Sequence, residues 1–400
     1  MKKSVEKIRS DIPFLDSGII YLDNAATTPT PEPVIEAMLE YYHEYSGNIG
    51  RGLHRVTKRA TEAFESSREK IARVINSEPE EIVYSKNTTE ALNLLARGLN
   101  LKKGDKVIAT VLDHHSNLIP WQRIEKEAGI ELEIIHKCPN FIVDPTAVEE
   151  AIDEKTQIVT MPSVSNAFGT RQPVEEVSKI AKENNALFSV DAAQSVGHMP
   201  VDVEEMGCDF LAAPGHKGLL GPQGTGFLYI REEMIDDIEP LLYGGGIVKA
   251  VEEHKCELVE PPQVFDAGTP NIPGIIGLGR AAEYVLDIGL EKIKRRERRL
   301  VDQILEINSI DNIEVYGPKS AKKRGGVVSF NLKGLDSHEV SSLLDEIGNI
   351  ATRSGHHCAE PAMKYFNLNG NARASVHYYN TGGEVDKFIE VLTGVAEELT

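Results

Sequence analysis

A lysine set among small residues carries the sharpest chemical signal in this 400-residue chain. Lys217 lies in Ala212-Ala213-Pro214-Gly215-His216-Lys217-Gly218, just after an apolar run. An amine placed there enters a pocket, where burial lowers its pKa and frees it to form a Schiff base. Asp191 ends another apolar run, before Ala192-Ala193-Gln194-Ser195. A carboxylate in that position is costly unless paired; a metal, a helix cap or a cationic cofactor atom would pair it. The small alanines leave room for a flat ring. Asn87-Thr88-Thr89-Glu90 opens a helical stretch, so its threonines are either plain caps or a phosphate cradle at the positive end of the dipole. Asp113-His114-His115-Ser116-Asn117 offers a metal ligand, a stacking platform or an ordinary polar loop. Ser163-Val164-Ser165-Asn166 would hold a carboxylate or start a turn.

A second group comes late in the chain. Cys358 sits in Arg353-Ser354-Gly355-His356-His357-Cys358-Ala359-Glu360-Pro361, a polar loop that favours exposure and a stabilised thiolate. Arg353 and Arg373 are candidates to fork a substrate carboxylate, or else form surface ion pairs. Gly221-Pro222-Gln223-Gly224-Thr225-Gly226 fits no nucleotide fingerprint, because it lacks the GK[ST] ending and precedes a strand.

The elements that must position these residues alternate in period. Strands are expected at 82–85, 106–111, 131–135, 157–161, 187–191, 209–213 and 226–230, with helices at 89–99, 117–128, 145–152 and 173–184. Such alternation predicts an α/β protein: a mostly parallel seven-stranded sheet flanked by helices, followed by a smaller α+β domain. The division expected is a large domain over 17–283, with 1–16 and 284–400 forming the small one. Residues 231–273 read as irregular, 277–307 as one long helix, and the basic segment 292–299 as a solvated face that Glu291 and Glu297 suit. The chemical residues fall just beyond the strands, where ligands collect in open parallel sheets. An acid for a pyridinium, an amine for a Schiff base, Thr and His groups for a phosphate and a histidine to stack on a ring together specify pyridoxal 5′-phosphate (PLP).

Composition narrows the classes further. With 43 basic against 62 acidic residues the net charge is −19, which disfavours nucleic acid as a partner. Cys138, Cys208, Cys256 and Cys358 are far apart, with no CxxC, which argues against a disulfide framework or zinc ribbon. No apolar run approaches the ~20 residues of a membrane helix. A cytoplasmic chain with no membrane association is expected.

With Tyr21-Leu22-Asp23-Asn24-Ala25-Ala26-Thr27 added to the motifs above, the sequence resembles the cysteine desulfurases of the class V aminotransferase group, fold-type I PLP enzymes. The Arg-x-Gly-His-His-Cys-Ala loop is similar to that of the SufS-type branch. The resemblance implies that Lys217 carries PLP, Asp191 binds the pyridine nitrogen, Gln194 the ring hydroxyl, and His114 stacks on the ring and serves the thiol as proton donor or acceptor. Thr88, Thr89 and His216 would hold the phosphate, helped by Thr269 from the other subunit of a homodimer. Asn166, Arg373, Arg353, Asn24 and Ala25 would line the substrate, L-cysteine. Cys358 would accept the sulfur as a persulfide, pass it to an acceptor or scaffold protein for iron–sulfur cluster or other sulfur biosynthesis, and leave L-alanine.

Two departures stand out. Pro214 replaces the family's usual phosphate-binding serine, and Gly50 replaces the first histidine of His-Arg-Gly-x-His. The same site would serve a selenocysteine lyase or cysteine sulfinate desulfinase. From other classes, the His-rich stretches would suit a metal-binding hydrolase, and Cys358 alone a non-catalytic sulfur-transfer scaffold.

Overall fold

The structure, a computed structural model, describes residues 4–50 and 52–398. Seven strands form the central sheet: β1 (Ile82–Ser85), β2 (Lys106–Thr110), β3 (Glu131–Ile135), β4 (Thr156–Pro162), β5 (Leu187–Asp191), β6 (Phe210–Pro214) and β7 (Gly226–Ile230). Their spatial order is β1-β7-β6-β5-β4-β2-β3. All pairs are parallel except those of β7, which runs antiparallel to both β1 and β6. Strands β2, β6 and β7 are buried along their whole length, as expected of a sheet covered by helices on both faces. Pro162 pairs with Asp191, and Asp191 with Ala212. The carboxyl ends of β4, β5 and β6 therefore finish level at one edge.

The helix Arg55–Ile75 shows how the sheet is covered. Ala60, Phe64, Ser67, Ile71 and Ile75 recur at three- and four-residue spacing and are buried, which makes one apolar stripe. His54 caps its start by accepting from Thr57 N–H at 3.3 Å, and Asn76 ends it in a left-handed conformation. The stripe packs on the helix Ile272–Ile288 at Gly279, where an added Cβ would lie 2.4 Å from Ser67 Oγ.

The expected long helix over 277–307 is two helices, Ile272–Ile288 and Leu290–Ile304. Gly289 separates them at φ +94°, a conformation that glycine adopts without penalty. Glu297 also departs from expectation: it is buried, because it stands four residues from both Ile293 and Val301 on the apolar stripe of the second helix. Arg295, Arg298 and Arg299 are exposed as expected.

The C-terminal part builds a four-stranded antiparallel sheet in the order Ile313–Tyr316, Val327–Leu332, Asn371–Ser375, Arg353–Gly355. The helices Ser337–Gly348 and Gly382–Glu397 cover it, with Leu344, Phe388 and Leu392 in its core. The N-terminal packing crosses the expected division at 16/17. Ile8, Ile12 and Leu15 join the large-sheet core, whereas Leu22 joins the small-sheet core. The cause is strand pairing: Ile20–Tyr21 lies parallel to Ile350–Ala351. Residues 231–273, expected to be irregular, contain an antiparallel hairpin, Val248–Val251 with Cys256–Leu258.

Candidate active site

A cavity of about 500 Å³ opens where the level ends of β4, β5 and β6 meet the loop after Arg353–Gly355. Lys217, Asp191, His114, Cys358, Thr88, Thr89, Gln194, His216, Asn166, Arg353, Arg373 and Ala25 all line it.

The lysine loop leaves β6 at Pro214 and is held by its carbonyls. Thr28 N–H donates to His216 O at 2.9 Å, Thr28 Oγ1 donates to Lys217 O at 2.7 Å, and His377 bonds Gly218 O at 3.0 Å. Burial lowers the Lys217 pKa to about 8, against the opposing pull of Asp191. Asp191 is buried at the end of β5, where its Oδ1 accepts from Ala193 N–H at 2.9 Å. Desolvation raises its pKa, and Lys217 lowers it. A buried carboxylate that lines a cavity favours a cation brought to it.

His114 caps the helix His115–Ala128, its Nδ1 accepting from Ser116 N–H at 3.0 Å. Burial and the nearby Lys217 depress its pKa to about 3, so the ring is neutral. With Nδ1 accepting, its proton is assigned to Nε2. The turn beneath is fixed by Asp113, which accepts from Thr110 N–H at 2.7 Å and from Asn117 Nδ2 at 2.6 Å. Desolvation raises the Asp113 pKa to about 7.

Helix Thr88–Gly98 points its N-terminus at the cavity, and Asn87 caps it by accepting from Glu90 N–H at 2.9 Å. Its first-turn N–H groups have no intrahelical acceptor. Thr88 Oγ1 is buried and has no partner among the described residues. Thr89 Oγ1 lies 2.6 Å from Ser116 Oγ, so a second hydroxyl stands beside it, and Ser116 also lines the cavity. Burial keeps His216 neutral, at about 4.

The cysteine loop is clasped through its backbone. His357 and Cys358 adopt φ of +54° and +55°, a left-handed conformation that costs roughly 1–2 kcal/mol per residue. Asn166 Nδ2 donates to His357 O at 2.6 Å, and His115 N–H donates to Cys358 O at 2.9 Å. The Cys358 side chain is left exposed, as expected. Arg353 and Arg373 share Asp23, at 2.7 and 3.5 Å, and Arg373 Nη1 donates to Asn166 O at 2.8 Å. Burial lowers the Arg373 pKa to about 10, which leaves it cationic at neutral pH. Its Nε is buried without a partner among the described residues.

These residues fit PLP. A buried carboxylate awaits a ring nitrogen, a lysine of depressed pKa awaits an aldehyde, and an orphaned threonine hydroxyl waits at a helix N-terminus. The orphaned Arg373 Nε suits a carboxylate oxygen. Buried polar atoms without partners are rare in folded chains, and a ligand accounts for them.

Asn24 lies outside the cavity, and Thr269, expected to serve the other subunit's site, lies outside this chain's own. The Asn24 side chain is buried away from the cavity, donating to Ser375 O at 2.6 Å and accepting from Tyr379 Oη. Thr269 lines a separate cavity beside Tyr84 and Phe265. Sequence reasoning did not single out Ser116 or Asp23. The first stands next to a histidine pair, and the second opens Asp23-Asn24-Ala25-Ala26, so each adjoins residues that do carry a chemical signal. Neither histidine pair contributes to a cluster of three metal-ligating groups among the described residues; that cluster is His198, Glu297 and His377. No described helix is long and apolar enough to cross a membrane.

The sequence profile described as "Aminotransferase class-V" matches residues 20–388. The chain is 49% identical over 398 residues to a "Probable cysteine desulfurase" of Pyrococcus abyssi, with 98% of each chain covered. It is 46% identical over 395 residues to a protein of the same description from Methanothermobacter thermautotrophicus, again with 98% of each covered. The solved apo structure of the cysteine desulfurase from Thermococcus onnurineus superposes with a TM-score of 0.95 at 47% identity, covering 98% of both chains. Cavity, fold and sequence agree, and the chain belongs to the class-V aminotransferase family.

Proposed function

We propose that this chain is a PLP-dependent cysteine desulfurase that converts L-cysteine to L-alanine and leaves the sulfur on Cys358 as a persulfide. One observation carries the reading: an exposed thiol, Cys358, and a buried lysine of depressed pKa, Lys217, line one cavity. When bound, PLP supplies an electron sink that weakens the bond between Cβ and sulfur in the substrate.

The chain's own residues do the rest. Thr88, Thr89, Ser116 and His216 hold the phosphate, with Ser116 supplying the hydroxyl that Pro214 lacks. Asp191 holds the proton on the ring nitrogen, and Gln194 and His114 orient the ring. Arg373 and Asn166 hold the substrate carboxylate, and Arg353 is steered toward it by Asp23. Lys217 Nζ takes the proton from the substrate α-carbon in its neutral form, which a pKa lowered to about 8 makes accessible near physiological pH. Cys358 Sγ, as thiolate, attacks the substrate sulfur. One S–S bond forms as the Cβ–S bond breaks, and Cβ gains a proton to become the alanine methyl group. No external oxidant is needed. With its proton on Nε2 and its pKa depressed to about 3, His114 can serve the cavity as a hydrogen-bond donor and not as the base for the thiol.

The persulfide on an exposed loop suits delivery to an acceptor protein, and Thr269 suits a contribution to the partner's site in a homodimer. The test is chemical. Cys358→Ala is expected to lose alanine formation from cysteine while retaining yellow, PLP-bound protein, and borohydride reduction with peptide mapping should mark Lys217. Wild-type turnover in Cys358→Ala would sink the proposal.

A further inference from the structure

Behind the lysine loop lies a buried cluster that the chemistry above does not use. His198 follows β5, Glu297 comes from the helix Leu290–Ile304, and His377 follows the strand Asn371–Ser375. All three are buried. Glu297 Oε1 and Oε2 lie 3.0 and 3.2 Å from His198 Nδ1, and the two histidine rings are 5.0 Å apart.

The residue types suit a metal, but the surroundings do not. Both ring nitrogens of His377 are committed: Nδ1 accepts from Tyr378 N–H at 2.8 Å, and Nε2 meets Gly218 O at 3.0 Å. The small cavity beside the cluster is lined by Arg171, Lys294, Arg298, Lys322 and Arg324. His198 and Glu297 line it too, so a cation placed there would meet five basic side chains against a single carboxyl group.

The hydrogen bonds suit a different task. Burial holds His377 neutral, at about 4. With Nδ1 accepting, the proton sits on Nε2 and donates to Gly218 O. Gly218 has no freedom on its other sides. A Cβ there would lie 2.3 Å from Val196 O and 2.6 Å from His198 Cδ2, and a Cβ on Gly197 would lie 2.1 Å from Gly218 C. The peptide after Lys217 is thus gripped between Gly197, the His198 ring pinned by Glu297, and His377. Thr28 secures the two preceding carbonyls. Three consecutive carbonyls determine where the Lys217 side chain begins.

We propose that His377 is a positioning residue for Lys217: its Nε2–H fixes the Gly218 carbonyl, and with it the direction from which the lysine amine enters the cavity. His377 touches neither substrate nor cofactor and acts through the lysine backbone. The proposal rests on the lysine assignment above, and its first readout needs no substrate.

The test compares wild type with His377→Leu, which keeps bulk without a donor, and His377→Gln, whose amide can donate to the same carbonyl. In cofactor-free protein, amide exchange over residues 216–221 is expected to quicken about tenfold in the leucine variant. In holoenzyme, kcat should fall about tenfold with KM for cysteine within about twofold, since misplacing a reacting group costs the chemical step. The glutamine variant should stay within about twofold of wild type throughout. A leucine variant equal to wild type, or a glutamine variant that falls with it, would overturn the proposal. If His377→Leu does not fold, His377→Asn, too short to reach, replaces it with the same expectations. Wild-type protein that makes no alanine would sink the desulfurase reading, while the exchange readout would still decide this one.

Discussion

Burial acts in opposite directions on the amine and the carboxylate that line one cavity. It lowers Lys217 and raises Asp191, moving both toward neutrality. The neutral amine is the form that attacks an aldehyde, so capture of PLP by cofactor-free protein should accelerate as pH rises through about 8 and level off above it. Stopped-flow absorbance checks this; a midpoint near the ordinary lysine value of 10.5 would contradict it. At this scale the sequence was informative wherever a residue type is costly in its setting, as with Lys217 after an apolar strand or Asp191 at the end of one. It was silent on Ser116 and Asp23, which are cheap residues in polar loops and acquire meaning only from neighbours far along the chain. Asn24 shows the reverse error. A polar residue beside a motif is as readily spent on internal hydrogen bonds as on a ligand.

The elements were legible where period and punctuation agree. The seven strands of the large sheet were expected within a residue or two at most ends, because their apolar runs are bounded by turn residues. The break at Gly289 was missed, since helical patterning continues on both sides of it and a single glycine is tolerated within helices. Close approach is similarly invisible before the helices are docked. Gly279 lets the helix Ile272–Ile288 lie against Ser67. Gly279→Val is expected to destabilise the protein by about 1–3 kcal/mol through overpacking, read as an earlier urea midpoint with an unchanged slope. An unchanged midpoint would show that the two helices separate at little cost.

At the scale of the whole molecule, the cavity exists because two hydrophobic cores are joined beside it. The junction includes Asn24, which joins Ser375, at the end of the small-sheet strand Asn371–Ser375, to Tyr379, a member of the large-sheet core. Asn24→Ala would strand several buried partners and should cost roughly 2–4 kcal/mol. Equilibrium denaturation followed by far-UV circular dichroism checks the figure, and a wild-type stability would remove Asn24 from the junction. The expected domain division placed the N-terminal segment with the small domain. Its Ile8, Ile12 and Leu15 pack in the large-sheet core instead, and the chain meets the small-sheet core at Leu22, beside a strand pairing of two residues that is too short to leave a periodic trace in sequence.

The fastening of the cysteine loop has one more consequence. Asn166 and His115 grip the carbonyl oxygens of His357 and Cys358, and neither touches the sulfur. Whatever hangs from the 358 side chain, be it a bare thiol, a cargo one atom longer or the methyl stub of an alanine replacement, leaves the grip untouched. If Cys358 carries sulfur as proposed, loading and emptying it would leave that mooring unchanged.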